Sequence, residues 1–156
     1  MNRQQNTTSF LVTPPAAISD NAALVCNVID TLGYRKLAID IEIGATDIAM
    51  AVLKIQESDT KSNTTALTTG TDITGLVFGT SNTIAGTAST LPISTVDNTV
   101  VRCEIDLKGR KRYILPVATT GDGAAGTYLT IRAALSDPEI SPTTAAARGY
   151  GQILRV

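Results

Sequence analysis

The sequence contains no histidine and no tryptophan, and only two cysteines among its 156 residues. The lack of histidine removes the commonest general base and the commonest ligand of transition metals. Cys26 and Cys103 are separated by most of the chain and form no Cys-x-x-Cys pair, so a structural zinc site is not expected. We therefore predict a protein that is not an enzyme and that uses no metal and no cofactor.

Aromatic residues make up only 4% of the chain, so the core has to be built from aliphatic side chains. Hydrophobic residues account for 43% and charged residues for 17%, a balance that favours a packed domain over a disordered chain. No run approaches the ~18 consecutive apolar residues that cross a bilayer, and the polar start of the sequence lacks the apolar segment of a signal peptide. We expect no membrane contact and synthesis in the cytoplasm.

The formal net charge is -1 and the pI is near 5.3, which gives the chain no general attraction to nucleic acid. Nucleic acid is therefore not predicted as a partner. Each cysteine lies in a β-patterned run, where a free cysteine usually packs as a small buried hydrophobe. A disulfide between Cys26 and Cys103 is the alternative, which a cytoplasmic origin disfavours.

Alternation of apolar and polar residues predicts strands. The clearest example is residues 36–44, where Leu37, Ile39, Ile41 and Ile43 recur at a spacing of two. A short helix is the alternative for part of the strand predicted within residues 48–59. The other predicted strands are residues 21–30, 73–79, 100–107, 112–119 and 127–135.

Turn residues suggest how two of these strands are connected. The Lys108-Gly109 turn predicts that residues 100–107 and 112–119 form a hairpin. Pro116 cannot donate to a strand ladder, so its strand should lie at a sheet edge or carry a bulge there.

Five or six strands without a sustained amphipathic helix predict an all-β fold, a single β-sandwich or jelly-roll-like domain over residues 21–137. Residues 1–20, which include the Pro14-Pro15 pair, have no strand or helical period and are predicted to form an extended N-terminal arm. Residues 138–156 are predicted to form a C-terminal tail. The threonine- and serine-rich residues 58–72 and 80–98 are predicted surface loops.

Charged residues form two candidate sites. Asp40 and Glu42 share one strand face, as do Glu104 and Asp106, so a cross-strand carboxylate cluster is conceivable. The simpler interpretation is a solvated face on which the carboxylates pair with basic residues, namely Arg102, Lys54 or Arg132. The second candidate is the basic run of Lys108, Arg110, Lys111 and Arg112, interpreted as a solvated turn, a contact for an acidic protein, or a nucleic-acid contact.

Three segments, LGYRKLAIDIEIG, VLKIQESDTKSN and DLKGRKRYILPVATTGDG, combine a Gly-Tyr turn, a K-I-Q-E-S-D strand and a G-R-K-R-Y turn. The three motifs lie within residues 33–44, 52–63 and 106–123, and together the segments resemble small virion proteins of tailed phages. The resemblance implies a β-sandwich capsid decoration (cement) protein that binds the outer capsid surface and bridges copies of the major capsid protein. Residues 60–69 depart from it, because they lack the aromatic residue that many relatives carry after E-S-D.

A decoration protein joins its neighbours, and extended arms do so by adding strands or by burying apolar side chains. We therefore expect a homo-oligomer, a dimer or a trimer, on the capsid, with contacts from the arm, the tail and the basic turn. A flexible or self-packed terminus is the alternative for both ends. The candidate partner-binding residues are Phe10, Leu11, Val12, Pro14, Pro15, Arg110, Lys111, Arg112, Tyr150, Ile153 and Leu154.

Two other functions stay open. The first is a tail or head-tail connector component, which copy number in the particle distinguishes from decoration. The second is a β module that binds carbohydrate or a host surface, suggested by the threonine-rich loops. The scarcity of aromatic residues disfavours this module, because sugar-binding platforms generally stack sugars on aromatic rings.

Overall fold

The computed structural model describes residues 6–13, 19–79 and 90–154, and in these ranges the chain forms two antiparallel β-sheets. The all-β sandwich predicted from the sequence is confirmed. The strands are β1 Thr7–Thr13, β2 Ile29–Asp30, β3 Tyr34–Thr46, β4 Val52–Ser58, β5 Thr71–Val77, β6 Thr99–Asp106, β7 Tyr113–Thr119 and β8 Thr127–Pro138. Sheet A has the strand order β1-β8-β3-β6 and sheet B the order β2-β7-β4-β5.

The long strand β3 organises sheet A. It pairs with β8 along one side and with β6 along the other, so that Ile39 lies between Ala133 and Cys103. Its alternate side chains Leu37, Ile39, Ile41 and Ile43 are all buried, as their spacing predicts. This strand therefore fixes which face of sheet A points into the sandwich.

The core between the sheets is aliphatic. Sheet B meets the inward face of β3 with side chains from β4 and β7, and β8 contributes the rest of the sheet A layer. Fully burying one such side chain stabilises the fold by about 1.5 to 3 kcal/mol. The largest buried apolar side chains are Val12, Ile29, Leu37, Ile39, Ile41, Met50, Leu53, Ile55, Ile114, Ile131 and Leu135.

The prediction of an extended arm is wrong for residues 7–13. These residues form β1 and pair with β8 from Thr7 opposite Ser136 to Thr13 opposite Ile131, with a bulge after Leu11. The strand was missed because its polar start, Thr7-Thr8-Ser9, shows no apolar alternation, whereas Val12 at its end is fully buried. Pro14 and Pro15 lie outside the described residues.

The strand predicted over residues 21–30 is much shorter in the structure. Only Ile29–Asp30 form β2, and the preceding residues reach sheet B through a single bridge between Ala23 and Thr119. The apolar residues here are divided between environments, since Cys26 is buried and Val25 is exposed. Apolar content alone therefore overestimated this strand.

The hairpin predicted around Lys108-Gly109 is also wrong. A tight turn does form, with the Arg110 amide donating to the Leu107 carbonyl at 3.0 Å. However, β6 belongs to sheet A and β7 to sheet B, so the turn crosses from one sheet to the other. Turn chemistry does not determine which sheet the second strand joins, and the partners β3 and β4 decide this instead.

β7 is an interior strand of sheet B, and Pro116 lies opposite Ile55 of β4, but β2 on the other side of β7 does not reach Pro116. The carbonyls of Arg112 and Ala118 accept hydrogen bonds from Thr31 and Leu24, so alternate residues of β7 face the β2 side. The short β2 pairs only with Tyr113 and Ile114. The prediction that this strand lies at a sheet edge or carries a bulge at Pro116 is therefore wrong, and the missing N–H interrupts no ladder because it points to the side that β2 does not reach.

The predicted strand within residues 48–59 and the predicted loops agree with the structure where it describes them. Residues 48–59 contain the strand β4 and not a helix, and residues 59–70 form a connection between β4 and β5. Residues 80–89 of the second predicted loop lie outside the described ranges. Within those ranges no helix has the length and apolar character needed to span a membrane.

A matched pair of isoleucines tests the assignment of the core. Ile131→Ala removes a fully buried side chain and should lower the free energy of unfolding by about 2 to 5 kcal/mol. Ile140→Ala makes the same change at a side chain that is 87% exposed and should shift stability by less than about 0.5 kcal/mol. Urea unfolding of both variants measures the difference. Equal destabilisation would contradict the inward orientation of β8.

Candidate protein-interaction surfaces

The N-terminal strand and the C-terminal tail, both predicted to reach over partner proteins, are bonded to each other. The hydroxyl oxygens of Ser9 and Tyr150 lie 2.7 Å apart, and Thr8 Oγ1 donates to the Ala147 carbonyl at 3.1 Å. A short 3₁₀ helix, Ala146–Arg148, holds this part of the tail in place. Residues 7–13 and 144–150 therefore follow the self-packed alternative.

Gly149 is what lets the tail approach β1 so closely. It adopts a φ of 77°, and a Cβ at this position would overlap the Ser9 carbonyl oxygen. Both the left-handed backbone and the close approach require glycine. Gly149 was not predicted as a contact residue, although a glycine after the short run Ala145 to Arg148 is a known signal for the end of a helical turn.

Beside this contact the protein exposes apolar side chains. Leu11 is 51% exposed and Tyr150 is 41% exposed, and both line an open depression of about 320 Å³ together with Phe10 and Arg132. We call the area of Leu11, Phe10 and Tyr150 the terminal surface. It joins candidate residues from both ends of the chain.

The other candidates from the two ends are placed less uniformly. Val12 is fully buried and belongs to the core. The prediction that Val12 contacts a partner is therefore wrong. Ile153 is half-buried, whereas Leu154 is 88% exposed. Ile140, at the start of the tail, is strongly exposed and was not among the candidates.

The basic turn at residues 108–112 is largely neutralised inside the molecule. Arg112 binds Asp30 through two hydrogen bonds of 2.9 and 2.7 Å, and its guanidinium lies 4.9 Å from the centre of the Tyr113 ring. Arg110 pairs with Glu57 at 3.4 Å, and Glu57 also accepts the Lys111 amide. Hydrogen bonds from Arg112 lower the pKa of Asp30. Two of the three candidate basic residues are therefore committed to intramolecular pairs.

The three segments that resemble virion proteins meet at this turn. Glu57 of the second segment binds Arg110 of the third, and the Leu107 amide donates to the Arg35 carbonyl of the first at 3.0 Å. The side chains of Lys108 and Lys111 form no ion pair within the described part of the chain. Lys108 is exposed and Lys111 is half-buried, and neither charge is neutralised by an ion pair within these ranges.

The carboxylates on the outer face of sheet A form ion pairs with neighbouring strands. Asp40 accepts two hydrogen bonds from Arg102 at 2.6 and 2.8 Å, and Glu42 pairs with Arg132 at 2.9 Å. Hydrogen bonding from Arg102 lowers the pKa of Asp40. The interpretation as a paired outer face is confirmed for these residues, whereas Lys54 pairs with Asp72 in sheet B. No group of three metal-binding side chains occurs among the described residues.

Both cysteines are free and buried, which agrees with the prediction that they pack as small hydrophobes. Burial raises the pKa of the Cys103 thiol to about 11 and also raises the pKa of Cys26. Both thiols are therefore protonated at neutral pH. Neither has the thiolate character that a reactive cysteine needs.

No protein-family model and no curated protein matches the chain. Among solved structures, the chain is similar to the crystal structure of the SPBc2 prophage-derived protein YomS. The two share 12% sequence identity with a TM-score of 0.45, over 85% of this chain and 94% of that one. Similarity at this level does not bear on function.

Two glycines of the tail test how it is fixed. Gly149→Ala should release the tail from β1, because a Cβ at residue 149 overlaps the Ser9 carbonyl and because alanine is strained in the left-handed backbone conformation. Together these two effects should destabilise the docked tail by about 1 to 3 kcal/mol. In this variant we expect the backbone amides of residue 149 and Tyr150 to exchange their hydrogens faster by about tenfold or more. Gly151→Ala is the control, since a Cβ there meets nothing within 4 Å. Unchanged exchange in the first variant would contradict the docked tail.

The ion pairs predict an acid-dependent stability. Asp30, Asp40 and Asp72 have folded-state pKa values lowered by hydrogen bonds from Arg112, Arg102 and Gln56 respectively. A lowered folded pKa contributes stability above the ordinary value of 3.8, and this is lost as pH falls through the folded value. With no histidine to titrate, we expect a constant free energy of unfolding from about pH 5 to 8 and a decline below about pH 4.

Urea unfolding across pH measures this profile, and Asp40→Asn provides the matched comparison. The variant should lose stability at neutral pH, because Arg102 loses its charged acceptor, and should show a shallower acid decline. A stability maximum below pH 4 would contradict the assignment of the ion pairs.

Proposed function

We propose that this chain is a structural protein of a tailed-phage particle that binds the outer surface of the capsid and stabilises it by bridging capsid subunits. Its partner is the major capsid protein, and the role needs no catalysis, cofactor, membrane or nucleic acid. The observation that carries the proposal is the terminal surface, where β1 and the tail hold exposed apolar side chains in one place. The resemblance of the segments around the basic turn to virion proteins supports it.

Exposed apolar side chains are a cost unless a partner covers them. Leu11 and Tyr150 are about half exposed, and Ile140 and Leu154 are almost fully exposed on the same tail. Leu11 and Tyr150 line the same depression, and grouped exposed apolar side chains of this kind mark surfaces that contact other proteins. A tyrosine whose hydroxyl already binds Ser9 can add its ring to an interface without leaving a polar group unpaired.

The terminal surface is ordered before any partner binds. Gly149 and the Ser9–Tyr150 contact fix the tail on β1, so binding costs less conformational entropy than it would for a free arm. A shell presents the same site many times, and multiple weak contacts between linked copies add up through effective concentration. A modest surface on each copy is therefore sufficient for a stabilising role.

The two lysines of the basic turn offer a second contact. Lys108 and Lys111 form no ion pair among the described residues, so their charges can meet an acidic protein surface. Surface charges of this kind mainly set orientation and association rate, with a smaller effect on affinity. We assign the affinity to the terminal surface and the orientation to the lysines.

Copy number and location in purified particles test the proposal directly. Cryo-EM and quantitative gels should find the chain on the outer shell in near-stoichiometric ratio to the major capsid protein. A few copies at a vertex or in the tail would replace this function with that of a tail or connector component. Absence from particles would overturn any virion role.

A matched pair of substitutions tests the terminal surface. Leu11→Glu should weaken binding to bare shells by about tenfold or more, because a charge enters an apolar contact. Ile48→Glu changes an apolar residue of similar exposure, 43% against 51%, in the β3–β4 connection and should bind normally. Co-sedimentation with shells measures both variants, and equal melting temperatures show that both are folded. Equal binding would remove the terminal surface from the proposal.

A further inference from the structure

The sandwich has four sheet edges, and three of them are short, irregular or covered. The β2 edge is two residues long, and β5 has only three partner residues on β4 with a register shift among them. The β1 edge carries a bulge and contacts Asn27, whose amide donates to the Val12 carbonyl, as well as the tail. Short, bulged or covered edges are the usual ways to prevent strand addition.

The fourth edge, β6, has none of these features. It pairs with β3 over eight consecutive residues without a register shift, and it contains no proline. No strand of the described part of the chain lies on its other side. A long, flat and regular edge of this kind is a template for another strand.

The backbone groups that point outward from β6 can be identified from the ladder. The Leu107 amide donates to the Arg35 carbonyl of the β3 segment, so the odd-numbered residues of this strand face β3. The even-numbered residues Val100, Arg102, Glu104 and Asp106 therefore direct their amides and carbonyls away from the sheet. Their side chains are all exposed on the outer face.

The order of charges on β6 is self-complementary. In an antiparallel pair of two β6 strands centred on Cys103, Arg102 of each copy lies opposite Glu104 of the other. Val100 then lies opposite Asp106, and no two like charges meet. Shifting the centre by one residue to Arg102 or to Glu104 would place like charges opposite each other, which costs stability.

From this edge and its charges we propose that two copies of the chain associate through β6 about a two-fold axis at Cys103. The two copies of sheet A then form one continuous sheet of eight strands, four from each copy. Each facing pair of even-numbered residues exchanges two backbone hydrogen bonds, about eight in all. This inference does not rest on the proposed function.

The same register completes contacts on both faces of the sheet. On the outer face, Glu104 of the second copy extends the row in which Arg132, Asp40 and Arg102 lie side by side. On the inner face, Val101 lies opposite Ile105 of the other copy, which covers a side chain that is only half-buried in one chain. Charges on an edge strand usually repel a second strand, but here their order favours one register.

Charge reversal tests the register. In the Arg102→Glu dimer, residue 102 of one copy and residue 104 of the other are both acidic, and in the Glu104→Arg dimer both are basic. Each variant should therefore dimerise at least about tenfold more weakly than the natural chain. An equimolar mixture restores opposite charges at both positions. We expect heterodimers to form in preference to either homodimer, as measured by native mass spectrometry and analytical ultracentrifugation.

The outcomes separate clearly. A natural chain that stays monomeric up to about 1 mM, where even millimolar affinity gives dimers, would overturn the inference. Dimers that neither single reversal weakens, or mixtures without heterodimer preference, would place the interface elsewhere. These measurements use the chain in solution and no capsid. A negative dimerisation result therefore says nothing against capsid binding, and a failure to bind shells says nothing against the dimer.

A backbone test complements the charge test. Glu104→Pro removes an outward amide that bonds to no residue of the described ranges, so the fold should persist while the dimer weakens by about thirtyfold or more. Glu104→Gln keeps the amide and removes only the charge, so it should weaken the dimer far less. An unchanged dimer in the folded proline variant would exclude pairing through β6.

Discussion

Burial of the alternate side chains of β3 is the constraint on which the other features depend. Leu37, Ile39, Ile41 and Ile43 face sheet B along the whole length of the strand, and the ladders to β8 and β6 follow from that orientation. Once these side chains point inward, Asp40 and Glu42 must point outward, where Arg102 and Arg132 meet them. The hydrophobic alternation and the outer ion pairs are thus two sides of one pattern.

The termini show how a single contact changes the functional interpretation. Free arms would reach for partners and would be ordered only on binding, with the entropic cost that this implies. Gly149 instead lets the tail lie against Ser9, and the apolar side chains of both ends form one fixed surface. In the proposed function, recognition uses this preformed surface at the β1 edge of sheet A, and the proposed dimer uses β6 at the opposite edge.

Charge runs in the sequence were a weaker guide than apolar spacing. Arg110 and Arg112 looked like a cationic patch, yet Glu57 and Asp30 neutralise them within the chain. These partners lie about 50 and 80 residues away, so their proximity depends on strand pairing. On β6, by contrast, the charges that matter are neighbours in the sequence. The order of Arg102 and Glu104 along this strand favours one register of the proposed dimer.

The sequence by itself determined the fold class, the aliphatic core, the inward faces of β3 and β8 and the burial of both cysteines, because alternation and composition are local properties. The tertiary structure alone decided that Thr7–Thr13 is a strand, that β6 and β7 belong to different sheets and that the tail lies on β1. Each of these depends on hydrogen bonds between residues far apart in the chain. Local spacing states which face of a strand is buried, but not which strand lies beside it.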